Sequence, residues 1–185
     1  MKRYISLILG LLLLLVVPVS GATSNISETE KYAWSDNGGW MNFRPEHGGV
    51  TVHKDYLSGF AWLETVGWVK LGADAGGPYK NTVKTDWGVN LDPNSGVLAG
   101  YAWSDTGGWI NFSPEHGGVI LDEDGYFNGY AWSETLGWIR LRSQAPVAYA
   151  VKVVENHAPA ADNLSYAMEK NQTFVVTLKA TDPDG

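Results

Sequence analysis

Apolar and polar residues alternate along most of this chain in short runs, and the runs recur. Four times an aromatic residue leads into Ala-Trp, a five-residue loop ending in Gly, and a second Trp; the copies begin at Tyr32, Phe60, Tyr101 and Tyr130. The paired tryptophans are Trp34 and Trp40, Trp62 and Trp68, Trp103 and Trp109, and Trp132 and Trp138. Recurrence at a fixed spacing predicts repeated supersecondary units. Alternation of period two predicts strands, whose successive side chains point to opposite faces. In the third copy Tyr101, Trp103, Trp109 and Asn111 share one face, and Ala102, Ile110 and Phe112 share the other. The loop chemistry predicts a hairpin with a turn and a bulge. Ser and Asp or Glu can accept backbone N–H groups, and the closing Gly39, Gly67, Gly108 and Gly137 tolerate positive φ. Trp103 then lies across from Trp109, and such a cross-strand aromatic pair adds about 0.5–1.5 kcal/mol beyond its buried area.

The two faces differ in kind. One carries Ala with Met41, Phe43, Val69, Leu71, Ile110, Phe112, Ile139 and Leu141, and reads as core. The other carries the aromatic residue, both Trp, and then Asn42, Lys70, Asn111 or Arg140. It reads either as a half-wet surface or as a second packing layer. Each hairpin is accompanied by a short β-branched strand: Val50-Thr51-Val52, Val89-Asn90-Leu91, Val119-Ile120-Leu121 or Val151-Lys152-Val153. The unit is therefore three strands. Its middle strand places Gly59-x-Ala61, Gly100-x-Ala102 and Gly129-x-Ala131 on the core face, which predicts room for a bulky neighbour. Tyr32 to Gly72 matches Tyr101 to Arg142, including a shared Pro-Glu-His-Gly-Gly-Val. The connector from Gly72 to Asp86 is expected to be mobile, and Tyr149 to Val154 to close the second half as Trp87 to Leu91 closes the first. The expected fold is all-β: an antiparallel repeat domain of short strands and hairpins, sandwich or barrel-like. An incomplete propeller fits less well, because a propeller blade typically has four strands.

The ends of the chain read differently. Residues 1–22 have the form of a signal peptide, with Lys2 and Arg3, an apolar run from Ile5 to Val17 and Ser20-Gly21-Ala22. That run is shorter than the ~20 residues of a spanning helix, so no transmembrane span is expected in the mature chain. Residues 23–31 read as a loose, polar lead-in, 32–154 as the repeat domain, and 155–185 as a linker and the start of another module. The formal charge is −7 and deepens once Lys2 and Arg3 are removed, which argues against a nucleic-acid partner. There is no cysteine, so export would rest on core packing without disulfides.

Two resemblances bear on function. The Gly-Tyr-Ala-Trp-Ser-Glu-x-x-Gly-Trp-Ile pattern, here Gly129 to Ile139 in fullest form, resembles a repeat of bacterial secreted and surface proteins. Leu63 departs from it where the other copies have Ser. Asn156-His157-Ala158-Pro159 through Thr181-Asp182-Pro183-Asp184-Gly185 resembles the opening of bacterial Ig-like or cadherin-like modules. That likeness implies a longer protein, with calcium held by Asp182 and Asp184 in the intact module.

The candidate chemistry is sparse, and no catalytic centre stands out. Trp34, Trp40, Trp62, Trp68, Trp103, Trp109, Trp132 and Trp138, with Asn42, Asn111 and Arg140, can stack on sugar rings and orient hydroxyls, or can simply pack. Glu46-His47 and Glu115-His116 would be the acid/base pairs of a hydrolase, or polar turns. Asp92-x-Asn94 and Asp122-x-Asp124 have calcium-like spacing but lack a later bidentate Glu. The repeat domain itself implies no cofactor. These features point to a non-catalytic bacterial module, secreted or displayed on the cell surface. Its role would be structural or adhesive, toward an extracellular glycan or another surface protein. A carbohydrate-binding module is the alternative, and a hydrolase ranks last.

Overall fold

The structure is a computed structural model that describes residues 24–154, together with 160–161 and 180–181. Its strands are β1 (Ile26–Ser35), β2 (Gly39–Asn42), β3 (Gly49–Val52), β4 (Leu57–Leu63), β5 (Gly67–Lys70), β6 (Val89–Leu91), β7 (Leu98–Ser104), β8 (Gly108–Asn111), β9 (Gly118–Leu121), β10 (Phe127–Ser133), β11 (Gly137–Arg140), β12 (Arg142–Ser143) and β13 (Tyr149–Val153). The four repeats form the hairpins β1–β2, β4–β5, β7–β8 and β10–β11. In each, the two tryptophans stand directly opposite one another. The turns close as the loop chemistry requires, with φ of 77°, 79°, 74° and 71° at Gly39, Gly67, Gly108 and Gly137.

Neighbouring hairpins then pair edge to edge. Asn42 lies opposite Trp62, Lys70 opposite Trp103, Asn111 opposite Trp132, and Arg140 opposite Trp34. The last contact joins β11 to β1, so eight antiparallel strands close into a barrel. Closure leaves no open edge among these strands. The third strand of each unit sits outside the barrel: β3 pairs with β4, β6 with β7 and β9 with β10. Among the described residues no strand precedes the first hairpin, and β13 takes that place beside β1. Equivalent bonds recur in all four units, from Val50 N to Phe43 O (2.8 Å), Val89 N to Leu71 O (2.9 Å), Val119 N to Phe112 O (3.0 Å) and Val151 N to Leu141 O (3.1 Å).

An eight-stranded barrel is just wide enough for its interior to be filled by side chains. Here the whole aliphatic face turns inward, and Met41, Phe43, Val69, Leu71, Ile110, Phe112, Ile139 and Leu141 are buried with the four alanines. At the hairpin end the repeats alternate. Gly38 and Gly107 face inward in the first and third turns, whereas Val66 and Leu136 occupy that position in the second and fourth. A Cβ on Gly107 would crowd both Val66 and Leu136, so two small and two bulky residues share one plug. Leu63, where the repeat pattern has Ser, is buried against Gly38. The serines of the other turns are also buried, and Ser35 Oγ donates to Leu136 O at 2.7 Å and accepts from Gly38 N at 2.9 Å.

Three expectations change. Gly59, Gly100 and Gly129 (φ 88°, 98° and 98°) are approached by backbone instead: a Cβ there would strike the carbonyl oxygen of Gly49, Gly88 or Gly118, and at Gly100 also the Asn81 amide. The lead-in is ordered structure: β1 begins at Ile26, which is fully buried, and Asn25 bonds both the N–H and the C=O of Val52 through its side chain. The connector after Gly72 is anchored, because Tyr79 is buried and its hydroxyl donates to Leu57 O at 3.2 Å. Asn90 brackets the same residue, accepting from Tyr79 N and donating to Tyr79 O, both at 2.7 Å. The signal segment lies outside the described residues. So does the C-terminal module, apart from an antiparallel pairing of Ala160–Ala161 with Ala180–Thr181. Asp182 and Asp184 likewise fall outside them.

Candidate functional site: the aromatic outer wall

Because the alanine face points inward, the tryptophan face must point outward. It forms four aromatic clusters around the barrel. The paired indoles sit with ring centroids 4.7–5.0 Å apart. Tyr32, Phe60, Tyr101 and Tyr130 each pack 6.0–6.2 Å from the second Trp of their own hairpin. These contacts do not cover the rings. Trp34, Trp62, Trp68, Trp109 and Trp132 remain 37–46 % exposed. The indoles are thus neither core nor a sealed second layer.

What covers the second Trp alternates. A Cβ on Gly48 would meet the ring of Trp68, and one on Gly117 the ring of Trp138, so the Pro-Glu-His-Gly-Gly loops lie close over those indoles. In the other two units an aromatic residue takes the glycine's place: Trp87 packs on Trp109 at 5.2 Å, and Tyr149 on Trp40 at 5.1 Å. Glu46, His47, Glu115 and His116 are exposed on these loops.

The barrel places the polar residues in the seams between hairpins. Asn42, Lys70, Asn111 and Arg140 each stand across from the first Trp of the next hairpin, a neighbour that hairpin-by-hairpin reading does not reveal. A turn carboxylate lies two residues beyond that Trp: Glu64, Asp105, Glu134 or Asp36. Each seam therefore combines three aromatic rings from one hairpin, an indole and a carboxylate from the next, and one amide or cation. Asn42 and Asn111 hold themselves in place by accepting Arg44 N and Ser113 N, both at 2.9 Å. The seam between the third and fourth hairpins opens as a groove of about 500 Å³ that includes Trp103, Trp109, Asn111, Trp132 and Glu134. The seam between the fourth and first is larger, about 790 Å³, and includes Trp34, Asp36, Trp138, Arg140 and Tyr149. Burial raises the pKa of the Tyr149 phenol, and the adjacent Arg140 charge partly offsets this.

Sequence reading found the eight indoles and three of the four polar partners. Lys70 and the leading aromatics were placed on the same face but not among the candidate binding residues, and Trp87, Tyr149 and the turn carboxylates were not singled out as candidates. The shared parity of Tyr32, Phe60, Tyr101 and Tyr130 with the indoles was the available signal. Asp92 and Asp122 act within turns: Asp92 accepts Asn94 N, and Asp122 accepts the N–H groups of Asp124 and Tyr126. Among the described residues no group of three His, Asp or Glu side chains is placed to hold a metal ion. No helix among them is long and apolar enough to cross a membrane. In comparisons with known proteins, no family model, no curated protein and no solved structure matches the chain.

Proposed function

We propose that this domain is a non-catalytic, extracytoplasmic adhesive module that holds carbohydrate in the seams between its hairpins. The observation that carries this reading is the outward, half-exposed placement of the paired indoles beside turn carboxylates and amides. Pyranose rings present apolar C–H faces that stack on indole, while their hydroxyls need acceptors and donors at the edge. The seams supply both. The signal-like segment and the resemblance to bacterial surface repeats support the location.

The test is titration of cello-, xylo- and chito-oligosaccharides and of acidic oligosaccharides, followed by tryptophan emission. Binding should shift or quench the emission, and Trp109→Ala with Trp132→Ala should abolish the response in the third seam without unfolding the domain. If no glycan alters the emission, the indoles serve only to brace neighbouring hairpins, and the adhesive role falls to protein contacts.

A further inference from the structure

The two halves of the duplication carry a cation at the same place, Lys70 in the second hairpin and Arg140 in the fourth. Backbone pairing fixes the equivalence beyond them: Gly72 bridges Gly88 in the first half, and Arg142 pairs with Ala150 in the second. Four residues after Lys70 stands Asp74, whose carboxylate accepts from Lys70 Nζ at 2.6 Å. Four residues after Arg140 stands Gln144, which is neutral. Among the described residues Arg140 has no ion-pair partner; its Nε donates to Arg142 O at 2.8 Å, and its guanidinium lies 5.7 Å from the Tyr130 ring centre. A single bond from Nε leaves the two Nη groups of a planar fork to meet an incoming acceptor, and carboxylate matches that fork best. Arg140 lines the groove of about 790 Å³, together with Trp34, Trp138 and Tyr149. Asp36 lines the same groove. It lies beyond ion-pair distance of Arg140, and it can accept sugar hydroxyls.

We infer that the seam between the fourth and first hairpins selects a carboxylated sugar, a hexuronic acid residue within an acidic polysaccharide, with Arg140 as the residue that sets this specificity. The inference rests on the glycan reading above. A uronic acid offers a ring face for the indoles and a carboxylate for the guanidinium in one unit. The equivalent Lys70 seam is already neutralised by Asp74 and does not share the preference.

The experiment compares oligogalacturonate with cello-oligosaccharide of equal length on the intact chain, by calorimetry and tryptophan emission. Arg140→Gln should weaken oligogalacturonate binding roughly tenfold more than it weakens binding of the neutral sugar, the scale of one charge-assisted contact. Gln144→Asp adds a carboxylate four residues after the cation, as in the first half, and breaks no hydrogen bond among the described residues. It should weaken only the acidic ligand, and added salt should mimic it. Thermal melts check that both variants stay folded. Equal binding of both sugars, or no change in Arg140→Gln, overturns the inference while leaving glycan binding intact. Equally tight binding of poly-glutamate also overturns it, since charge alone would then suffice. Loss of response to every sugar in the unmodified protein overturns the underlying reading as well.

Discussion

The two connectors that leave the second and fourth hairpins start from equivalent residues and end at equivalent strands, yet they are built differently. The first turns inward. Its Tyr79 fills the space that Gly72 and Gly88 leave open, since a Cβ on either would run into the ring, and it packs edge-on against Tyr56 at 5.7 Å. The second is shorter and stays outside. Its slot is taken instead by Arg142, whose guanidinium lies 3.9 Å over Tyr126, the counterpart of Tyr56, and pairs with Asp122 at 3.5 Å. Its Val147 remains exposed on the groove wall. The first connector thus adds to the core and the second adds to the surface. The two halves share the same barrel strands and differ in whether the connector is buried or left on the surface.

The strand each connector delivers gives the largest expected effect. Val151 on β13 is fully buried, and among the described residues β13 is the only strand outside the barrel that pairs with β1. Val151→Asp would place an unpaired charge there, at a cost of several kcal/mol against a total domain stability of about 5–15 kcal/mol. Circular dichroism should show no cooperative melt near the native midpoint. Val147→Asp, on the same connector, should melt as the native protein does. Loss of folding in both would mean that the second connector is part of the core after all.

Next in size is the anchor of the first connector. Tyr79→Ala empties a buried aromatic site and should cost about 3–5 kcal/mol by denaturant titration. Tyr79→Phe removes only the bond to Leu57 O and should cost about 1 kcal/mol. The same pair gives a pH signature. Burial, reinforced by the charges of Tyr56, Asp74 and Asp86, pushes the Tyr79 phenol up to about 12. The unfolded phenol ionises near 10, so the unfolded state loses its proton first. The stabilisation from neutral Tyr79 is therefore complete below pH 10 and is lost as pH rises through 12. Tyr79→Phe should remove that part of the alkaline decline, seen as a narrowing gap between the two proteins.

This contrast also marks what the sequence could reveal. Strand parity placed Ala102 inside and Trp103 with Trp109 together on the opposite face, because period two is a local property. The glycines of the turns were legible for the same reason. Closure was harder. The strand that completes the first unit lies more than a hundred residues away, and the irregular stretch between Ile26 and Lys31 hides the repeat in β1. Tyr79 looked like part of a loose loop because the room for it is made by Gly72 and Gly88, seven and nine positions away. The register that sets Arg140 opposite Trp34 depends on the stagger between hairpins, which no single repeat contains.

The smallest expected change in stability is the most informative about recognition. The Lys70–Asp74 pair is surface-exposed on the Asp74 side, and such pairs contribute about 0.2–1 kcal/mol. Asp74→Asn should therefore leave the melting midpoint almost unmoved. It should, however, unmask Lys70 beside Phe60, Trp68 and, across the seam, Trp103. Calorimetry with oligogalacturonate should then report a second, weaker class of site, which disappears in the double variant Asp74→Asn, Lys70→Gln. Lysine is a point charge rather than a planar fork, so this site should show less preference for carboxylate over other anions than the Arg140 seam. An unchanged stoichiometry would mean that the first connector closes its seam by shape as well as by charge. The second connector would then differ from it in geometry before it differs in electrostatics.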